Sequence, residues 1–379
     1  MTTTEIEIHG HCDERYAAVR EAFARNFADE PEVGASVAVS IGGQLAIDLW
    51  AGAADGERTR AWERDTIVNV FSTTKGLAAL AAHMLADRGQ LDVDAPVTRY
   101  WPEFGQAGKE RLPVRYLLTH QAGLAALDGD LPQEIWLDWD AVCAQLARQT
   151  PRWIPGTRHG YHTLTFGHLV GEVVRRVDGR TVGAFVRDEI ARPLGVDFFI
   201  GTPASEDHRV ADILPDTRTP PPAGAIASAV SAVDWNERAR RAAEIPAANG
   251  HGNARALATI YGALACGGEA NGVRLLSERA VRLAATEVAA GMDETLKAPT
   301  HRTLGFMRPF AEFNDVRPAG SFGHAGAGGS QGFADPARRL GFGYAMNQML
   351  SPQPGETRPP TGGLDPRGQR LITALYSAL

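Results

Sequence analysis

The succession of helical and extended patterns along the chain predicts an α/β fold in which one sheet is built from both ends of the chain. A helix and a hairpin precede residue 72, whereas the stretch from there to about residue 211 carries mostly helical periodicity. After residue 300 strand patterns return, and an amphipathic segment closes the chain. This order predicts a mixed sheet flanked by helices, with a helical region inserted between its two halves.

The N-terminal part begins with a helix and a hairpin. Alanine, valine and phenylalanine recur at helical spacing over 16–27, and apolar segments at 36–41 and 45–50 flank the pair Gly42-Gly43. Two glycines between two extended segments are typical of a two-residue hairpin turn. Residues 65–71 form a further short extended segment that leads into the next helix.

The helix that follows starts at Ser72. Apolar residues recur there at the i, i+3, i+4 spacing of a helix with one buried face, and Gly89 marks its end. The apolar positions are Leu77, Leu80, Ala81, Met84 and Leu85. Ser72 is therefore predicted at a helix N-terminus.

Further along, the same criteria predict helices and then strands. The predicted helices span 114–120, 140–149, 165–177, 181–190, 253–267, 277–288 and 371–379, and the predicted strands span 303–307, 321–324, 331–335 and 340–347. The proline-rich segment 219–224 is predicted to be a loop. Strand signals are scarce between 124 and 211, so the inserted region is predicted to be mainly helical.

Composition argues against several classes of partner. The chain has 379 residues, 44 % of them apolar, and a formal charge of −7 disfavours nucleic acid or an anionic membrane surface as a partner. It lacks an apolar run of about 18 residues, and its acidic N-terminal segment lacks the apolar core of a secretory signal. Three widely spaced cysteines fit reduced thiols, so we expect a cytoplasmic protein.

Ser72-Thr73-Thr74-Lys75 carries the first chemical signal. Because residues three apart share one helix face, the Ser72 hydroxyl and the Lys75 amine can meet. A desolvated lysine at a helix N-terminus can take a proton from a serine, which turns the hydroxyl into a nucleophile. The alternative is that these residues only cap the helix, since serine and threonine are common at helix starts.

Two more segments carry candidate site residues. Tyr161 follows a Pro155-Gly156 turn just before a predicted helix, where its phenol could reach a pocket; a tyrosine packed in the core is the alternative. His324 opens a glycine-rich run at the edge of a predicted strand, and glycines there allow the backbone to approach a ligand. A plain glycine-rich turn explains that run equally well.

Taken together, these motifs resemble those of the penicillin-recognising serine hydrolases. Within that superfamily the chain resembles the class C β-lactamase-like esterases, also called family VIII carboxylesterases. Order and spacing match over residues 15–379, in four motifs: Ser72-Thr73-Thr74-Lys75, then Leu117-Leu118-Thr119-His120-Gln121-Ala122-Gly123-Leu124, then Pro155-Gly156-Thr157 leading to Tyr161, then Gly323-His324-Ala325-Gly326.

The resemblance implies a fold and a set of roles. The implied fold is β-lactamase/transpeptidase-like: a central, mostly antiparallel sheet in an α/β domain of residues 1–71 and 252–379, and a mainly helical domain of residues 72–251, with the active site between them. Ser72 is implied as the acylated nucleophile, Lys75 as the general base and Tyr161 as a proton shuttle. The backbone N–H groups of Ser72 and Ala327 are implied as the oxyanion hole.

Two positions depart from the lactamase pattern. Where that pattern has Tyr-x-Asn, the third residue here is Thr163, and where it has Lys-Thr-Gly, the chain has His324-Ala325-Gly326. The asparagine and lysine of the family recognise the amide and carboxylate of β-lactams, so we expect an ester as substrate instead. Thr163, His324 and Gly326 are the candidate substrate-binding residues, although His324 could equally just fill the place of the lysine.

A second serine motif, Gly328-Gly329-Ser330-Gln331-Gly332, matches the Gly-x-Ser-x-Gly nucleophile elbow of α/β-hydrolases. That elbow requires a helix directly after it and a histidine later in the chain. Neither is predicted, because the next segment is a strand and His324 is the last histidine. Ser330 is therefore predicted to be structural.

Three functional hypotheses follow. The first is a carboxylesterase that hydrolyses small, short-chain acyl esters through a Ser72 acyl-enzyme. The second is an acyltransferase, β-lactamase or amide hydrolase of the same fold, and the third is a catalytically silent binding protein. The joint presence of Ser72, Lys75 and Tyr161 argues against the third. The sequence requires neither a metal nor an organic cofactor.

Overall fold

The computed structural model describes residues 6–216, 218, 233–352 and 364–379. The strands are β1 (Ile8–Cys12), β2 (Gly34–Ile41), β3 (Gln44–Gly52), β4 (Val68–Asn69), β5 (Phe198–Ile200), β6 (Gly250–Gly252), β7 (Glu269–Ala270), β8 (Val273–Arg274), β9 (Ala289–Met292), β10 (Pro299–Arg302), β11 (Phe322–Ala325), β12 (Gln331–Asp335) and β13 (Leu340–Met346). The helices are α1 (Ala17–Asp29), α2 (Thr74–Asp87), α3 (Val114–Leu118), α4 (Trp139–Arg148), α5 (Thr165–Asp178), α6 (Val182–Val186), α7 (Arg192–Leu194), α8 (Arg238–Ala242), α9 (Ala254–Ala265), α10 (Glu278–Ala285) and α11 (Pro366–Ser377).

The central sheet has the strand order β1-β3-β2-β13-β12-β11, and every neighbouring pair in it is antiparallel. Because β13 lies directly beside β2, the two ends of the chain share one sheet. The predicted hairpin is present as β2 and β3, and Gly42 and Gly43 turn the chain at φ values of 59° and 87°, which glycine adopts without strain. The predicted α/β fold with a mostly antiparallel central sheet is thus confirmed.

Helices cover both faces of this sheet. On one face α1 and α11 pack over the strands, and Val19, Phe23 and Leu371 are completely buried there. On the other face α9 lies against β13, where a Cβ on Gly341 would lie 2.2 Å from the backbone nitrogen of Gly262. The glycine therefore lets helix and strand approach to backbone contact.

The inserted region is built around α2, which packs against α5. Their apolar side chains, among them Leu80, Leu169 and Val173, are buried in one large cluster. A small sheet of order β4-β6-β5 lies next to them and pairs Asn69 with His251. The predicted domain junctions, 71–72 and 251–252, fall beside this pairing, and the division into two domains at these bounds stays a prediction.

Several predicted elements have different bounds in the structure. The extended segment 65–71 is a strand only at Val68–Asn69, and the predicted helix 181–190 is divided, because α6 ends at Val186 and a π-helical turn follows. The predicted strand 303–307 is wrong, because the strand ends at Arg302 and the Thr303 amide then closes a turn by donating to the Phe306 carbonyl. The predicted helix 277–288 stops at Ala285, since residues 289–292 pair with β10 instead. The last helix begins at Pro366 rather than at residue 371, and the Asp365 side chain caps its start.

Several strands lie where no strand was predicted, among them β1 at the edge of the central sheet and the short strands β7 to β10; two further examples are β5 and β6. Each has three residues, too few for a period of two to stand out, and each is stabilised by its pairing partner. The predicted loop 219–224 lies outside the described residues. Among the helices of the described ranges, none is both long and apolar enough to cross a membrane.

Candidate active site

Ser72 lies in a tight turn between β4 and α2. Asn69 ends β4, and its side-chain oxygen accepts a hydrogen bond from the Phe71 amide at 2.9 Å. The turn holds Phe71 at φ 44°, a left-handed conformation that costs about 1–3 kcal/mol for such a residue. Phe71 and Thr73 are buried, whereas Ser72 keeps partial exposure. Between these two buried neighbours, Ser72 is the residue of the turn that a ligand can reach.

Lys75 lies on the first turn of α2 and is completely buried. Its Nζ lies 3.1 Å from Ser72 Oγ, and two backbone carbonyl oxygens complete its contacts, Thr163 at 2.7 Å and Ala247 at 2.9 Å. A neutral amine has two N–H donors for the two carbonyls and a lone pair left for the Ser72 hydroxyl. Burial lowers the pKa of Lys75 well below its usual value, and the charge of Arg302 lowers that pKa further.

Tyr161 is the second group that contacts Ser72. Its side chain is buried and hydrogen-bonds the Ser72 side chain, and Lys75 Nζ lies 4.6 Å from the centre of its ring. Burial raises the pKa of Tyr161 above its ordinary value, and the hydrogen bond to Ser72 and the charge of Arg302 oppose part of that rise. The phenol is thus protonated at pH 7 and in contact with Ser72.

Buried polar groups from distant parts of the chain hold the backbone around Tyr161. The Asp293 carboxylate accepts a hydrogen bond from the Tyr161 amide at 2.9 Å. On either side, the His120 carbonyl accepts the Gly160 amide and His120 Nδ1 accepts the His162 amide, both at 3.0 Å. The second sequence motif therefore supplies a histidine that supports the Tyr161 segment.

The glycine-rich loop after β11 packs against the turn that carries Ser72. Ser330 Oγ donates to the Val70 carbonyl at 2.7 Å and lies 3.2 Å from Thr73 Oγ1. A Cβ on Gly326 would lie 2.2 Å from the same Val70 carbonyl oxygen, so glycine is required for this approach. Ser330 is fully buried, and its hydroxyl bridges the loop and the turn.

His324 and Ala327 border this loop in different surroundings. His324 is buried, stacks on Tyr161 with 6.2 Å between ring centres, and donates from Nδ1 to the Ala325 carbonyl at 2.8 Å. Burial lowers the pKa of His324 well below 6.5, so the imidazole is neutral. Ala327 packs against the apolar cluster that includes Phe71. His324 thus adjoins the tyrosine, and Ala327 adjoins the turn that carries Ser72.

Thr163 connects the site with a neighbouring cavity of about 580 Å³. Its carbonyl oxygen accepts from Lys75, and the residue also lines the cavity wall. Apolar and aromatic side chains, including Trp136 and Trp153, form much of the remaining wall. A cavity of this size accommodates a small organic ligand.

Three residues at the site carry no signal in the sequence. Ala247 supplies a carbonyl to Lys75, Asp293 anchors the Tyr161 amide, and the guanidinium carbon of Arg302 lies 5.3 Å from the centre of the Tyr161 ring. The first two contacts join residues 172 and 132 positions apart. Contacts over such separations leave no local pattern of spacing or composition that could reveal them.

Comparison with known proteins shows the family of the chain. A model of the beta-lactamase family matches residues 23–364. The chain belongs to the beta-lactamase family. Among its relatives there, the esterase/beta-lactamase LipL of Mycobacterium tuberculosis is 38 % identical over 372 residues, which cover 91 % of this chain and 84 % of LipL.

Two solved structures share the fold over nearly the whole chain. The crystal structure of a family VIII carboxylesterase is 44 % identical, with a TM-score of 0.90, and covers 99 % of this chain and 100 % of that one. A penicillin-binding protein homolog from Caulobacter crescentus is 42 % identical, also with a TM-score of 0.90, over 98 % of this chain and 100 % of that one. The resemblance and the β-lactamase/transpeptidase-like fold expected from the motifs are both confirmed.

Proposed function

We propose that the chain is a serine carboxylesterase that hydrolyses small, short-chain acyl esters through an acyl-enzyme on Ser72. The observation that carries this proposal is the position of Ser72 Oγ, 3.1 Å from Lys75 Nζ and within a hydrogen bond of Tyr161. A hydroxyl between a buried amine and a buried phenol has one group to take its proton and another to deliver one. The esterase names of LipL and of the family VIII carboxylesterase support an ester as the substrate class.

Acylation begins when neutral Lys75 takes the Ser72 proton as Oγ attacks the ester carbonyl. The backbone N–H groups of Ser72 and Ala327 bind the negative oxygen that forms, and loss of one such donor typically costs about 10²–10³ in rate. Tyr161 then gives its proton to the departing alkoxide, which leaves as the alcohol. The acyl-enzyme holds an ammonium at Lys75 and a phenolate at Tyr161.

Deacylation reverses these transfers. The Tyr161 phenolate takes a proton from water, whose oxygen attacks the acyl carbonyl. When the second tetrahedral intermediate collapses, Ser72 Oγ leaves and takes the proton held by Lys75. All three groups have then regained their starting forms, and one ester and one water have become one acid and one alcohol.

We assign substrate contacts to Thr163, His324 and Gly326. A neutral, buried His324 offers no charge to a substrate carboxylate, and Thr163 offers no amide, so both support an uncharged ester rather than a β-lactam. The cavity beside Thr163 supports a small acyl group as the part of the substrate bound there.

Hydrolysis of β-lactams is the second candidate function, because the relative LipL is named both an esterase and a β-lactamase. The same acyl-enzyme on Ser72 would form with a lactam ring. Since Thr163 replaces the asparagine of the lactamase pattern, we expect this activity to be the weaker of the two.

The proposal is tested by steady-state hydrolysis of p-nitrophenyl acetate and butyrate beside a chromogenic cephalosporin. Ser72→Ala should abolish ester turnover, and Lys75→Ala and Tyr161→Phe should each lose about 10²–10⁴-fold, the usual cost of removing a general acid or base. Circular dichroism should be unchanged in all three variants. Ester turnover that survives Ser72→Ala would overturn the proposal, and a cephalosporin rate above the ester rate would select the second candidate.

A further inference from the structure

Beside the proposed catalytic groups lies a buried ion pair that the proposed mechanism does not use. Arg302 ends β10, Asp293 follows β9, and their side chains are 1 % and 0 % exposed. Arg302 Nη2 lies 2.6 Å from Asp293 Oδ2. Desolvation of two such charges offsets most of their attraction, so a buried pair adds little to stability over an apolar pair. Its placement therefore points to a role in the site.

The ion pair is attached to Tyr161 in two ways. The guanidinium carbon of Arg302 lies 5.3 Å from the centre of the Tyr161 ring. The second carboxylate oxygen of Asp293 accepts the amides of Tyr161, Thr295 and Leu296, each at 2.9 Å. One pair thus fixes the backbone of the tyrosine and places a positive charge against its ring.

Among the described groups that face the Tyr161 ring, Arg302 carries a permanent positive charge, since arginine does not lose its proton in proteins. Two histidines contact the ring, His120 at 5.1 Å and His324 at 6.2 Å between ring centres, and burial lowers the pKa of both well below 6.5. Burial likewise lowers the pKa of His162, which contacts His120, to about 4. The remaining group that can carry a positive charge is Lys75, whose Nζ lies 4.6 Å from the ring centre.

We propose that Arg302 is a positioning residue of the proton relay, held by Asp293 so that its fixed charge adds to the effect of burial in keeping Lys75 neutral in the free enzyme and stabilises the Tyr161 phenolate of the acyl-enzyme. The inference rests on the proposed function. A second positive charge beside Arg302 is disfavoured, whereas a negative charge on the phenol is favoured. His324, which stands where the lactamase pattern has a lysine, is neutral, so Arg302 provides a positive charge that this motif lacks.

The inference is tested by the pH dependence of kcat/KM for p-nitrophenyl acetate in three variants. Arg302→Gln removes the charge but can still donate a hydrogen bond to Asp293. Because Lys75 then holds its proton more tightly, the acidic limb of the kcat/KM profile should move to higher pH by about one unit. Asp293→Asn leaves the Arg302 charge uncompensated, so the limb should move to lower pH. Arg302→Lys keeps the charge and should restore the limb of the wild type.

Arg317→Gln is the matched control. Arg317 pairs with Asp315 in a second buried ion pair, with side chains 1 % and 0 % exposed, and it faces the Phe333 ring. We expect the acidic limb of the kcat/KM profile of Arg317→Gln to match that of the wild type. A purely structural role for Arg302 would lower activity and thermal stability together without moving the limb. That result, or shifts of Arg302→Gln and Asp293→Asn in the same direction, would overturn the proposal.

A second measurement covers variants with little turnover. The rate at which a fluorophosphonate labels Ser72, followed by intact mass across pH, reports the protonation of Lys75 without catalysis. In this labelling profile we expect the acidic limb to move to higher pH in Arg302→Gln and to lower pH in Asp293→Asn. If Arg302→Gln does not fold, an acidic limb of Asp293→Asn that matches the wild type overturns the inference. A wild type that neither hydrolyses esters nor is labelled at Ser72 overturns the proposed function and this inference together. An active wild type with unmoved limbs in its variants overturns this inference alone.

Discussion

Burial determines the protonation of the individual side chains around Ser72. Lys75 and Tyr161 are both buried, and removal from water favours the neutral form of each. The pKa of the lysine is therefore lowered and that of the tyrosine is raised. In water at pH 7 the lysine would be protonated and useless as a base. In this site burial favours a neutral amine and a protonated phenol beside one hydroxyl, which are the forms that the proposed mechanism requires.

The residues of the site differ in how far the sequence could reveal them. Ser72 and Lys75 lie within one turn of a helix, so their spacing alone predicted that their side chains meet. Tyr161 followed from a local turn together with the family resemblance. Asp293 and Arg302 reach the tyrosine through a hairpin 132 residues further along, and that contact depends on the tertiary fold. The chemical roles of all these residues stay predictions.

Ser330→Ala tests at this scale whether the second serine motif is structural. Ser330 Oγ donates to the buried Val70 carbonyl, so its loss should lower the free energy of unfolding by about 1–2 kcal/mol. Ester hydrolysis should persist, because Ser330 touches no reacting atom in the proposed mechanism. Urea unfolding checks the loss of stability, and the ester assay, with Ser72→Ala measured in parallel, checks the activity. An inactive Ser330→Ala next to an active Ser72→Ala would contradict the choice of nucleophile.

Among the structural elements, most of the longer ones were predicted better than the short ones, although the twelve-residue α11 begins at Pro366 rather than at residue 371. The longer elements α1, α4, α5 and the β2–β3 hairpin match their predictions to within two residues, because each carries several periods of its pattern. The strands β5, β6, β9 and β10 have three or four residues and form only because a partner strand lies beside them. The hairpin of β9 and β10 was missed for this reason, although it carries two groups that adjoin Tyr161.

Gly326→Ala tests the loop that brings Ala327 to the turn that carries Ser72. The added Cβ would lie 2.2 Å from both the Val70 carbonyl oxygen and Ser330 Oγ, so the loop must move away from Ser72. We expect ester kcat to fall by about 10²–10³, the usual cost of a lost oxyanion donor.

Gly320→Ala is the matched control for this variant. No heavy atom lies within 4 Å of the position its Cβ would take, so ester kcat should be unchanged. Wild-type activity in Gly326→Ala would contradict the role given to this loop.

At the scale of the whole molecule, a buried charge network connects the C-terminal helix with the glycine-rich loop after β11. Arg367, on the first turn of α11, donates to Glu32 at 2.9 Å and to the Gly328 carbonyl at 2.5 Å, and pairs with Asp365 at 2.9 Å. The Tyr344 hydroxyl also donates to Glu32. The network joins both ends of the chain around the sheet. The sequence predicted the shared sheet from its strand patterns but not this network, which depends on residues more than 300 positions apart.

Arg367→Met should remove this tie. It leaves Glu32 and Asp365 buried without their cation, which costs about 3–5 kcal/mol of unfolding free energy. Arg370→Met, on the same helix and 27 % exposed, should cost at most about 1 kcal/mol. Urea unfolding of both variants checks the difference, and equal losses would contradict a special role for Arg367.

The destabilisation of Arg367→Met should also depend on pH. Burial raises the pKa of Glu32 from 4.5 to about 7, so its contribution to stability is complete below about 4.5 and is lost as pH rises through 7. Without Arg367 the protonated form is favoured further. The destabilisation of Arg367→Met should therefore be smaller at pH 5 than at pH 8. Equal destabilisation at both pH values in urea unfolding would contradict this account.

The measurement that tests the central claim most directly is mass spectrometry of the enzyme quenched in acid during turnover of p-nitrophenyl butyrate. The account predicts a butyryl group on the peptide that contains Ser72, present in the wild type and absent in Ser72→Ala. Turnover without any adduct, or a butyryl group on the peptide that contains Ser330, would contradict the Ser72 acyl-enzyme.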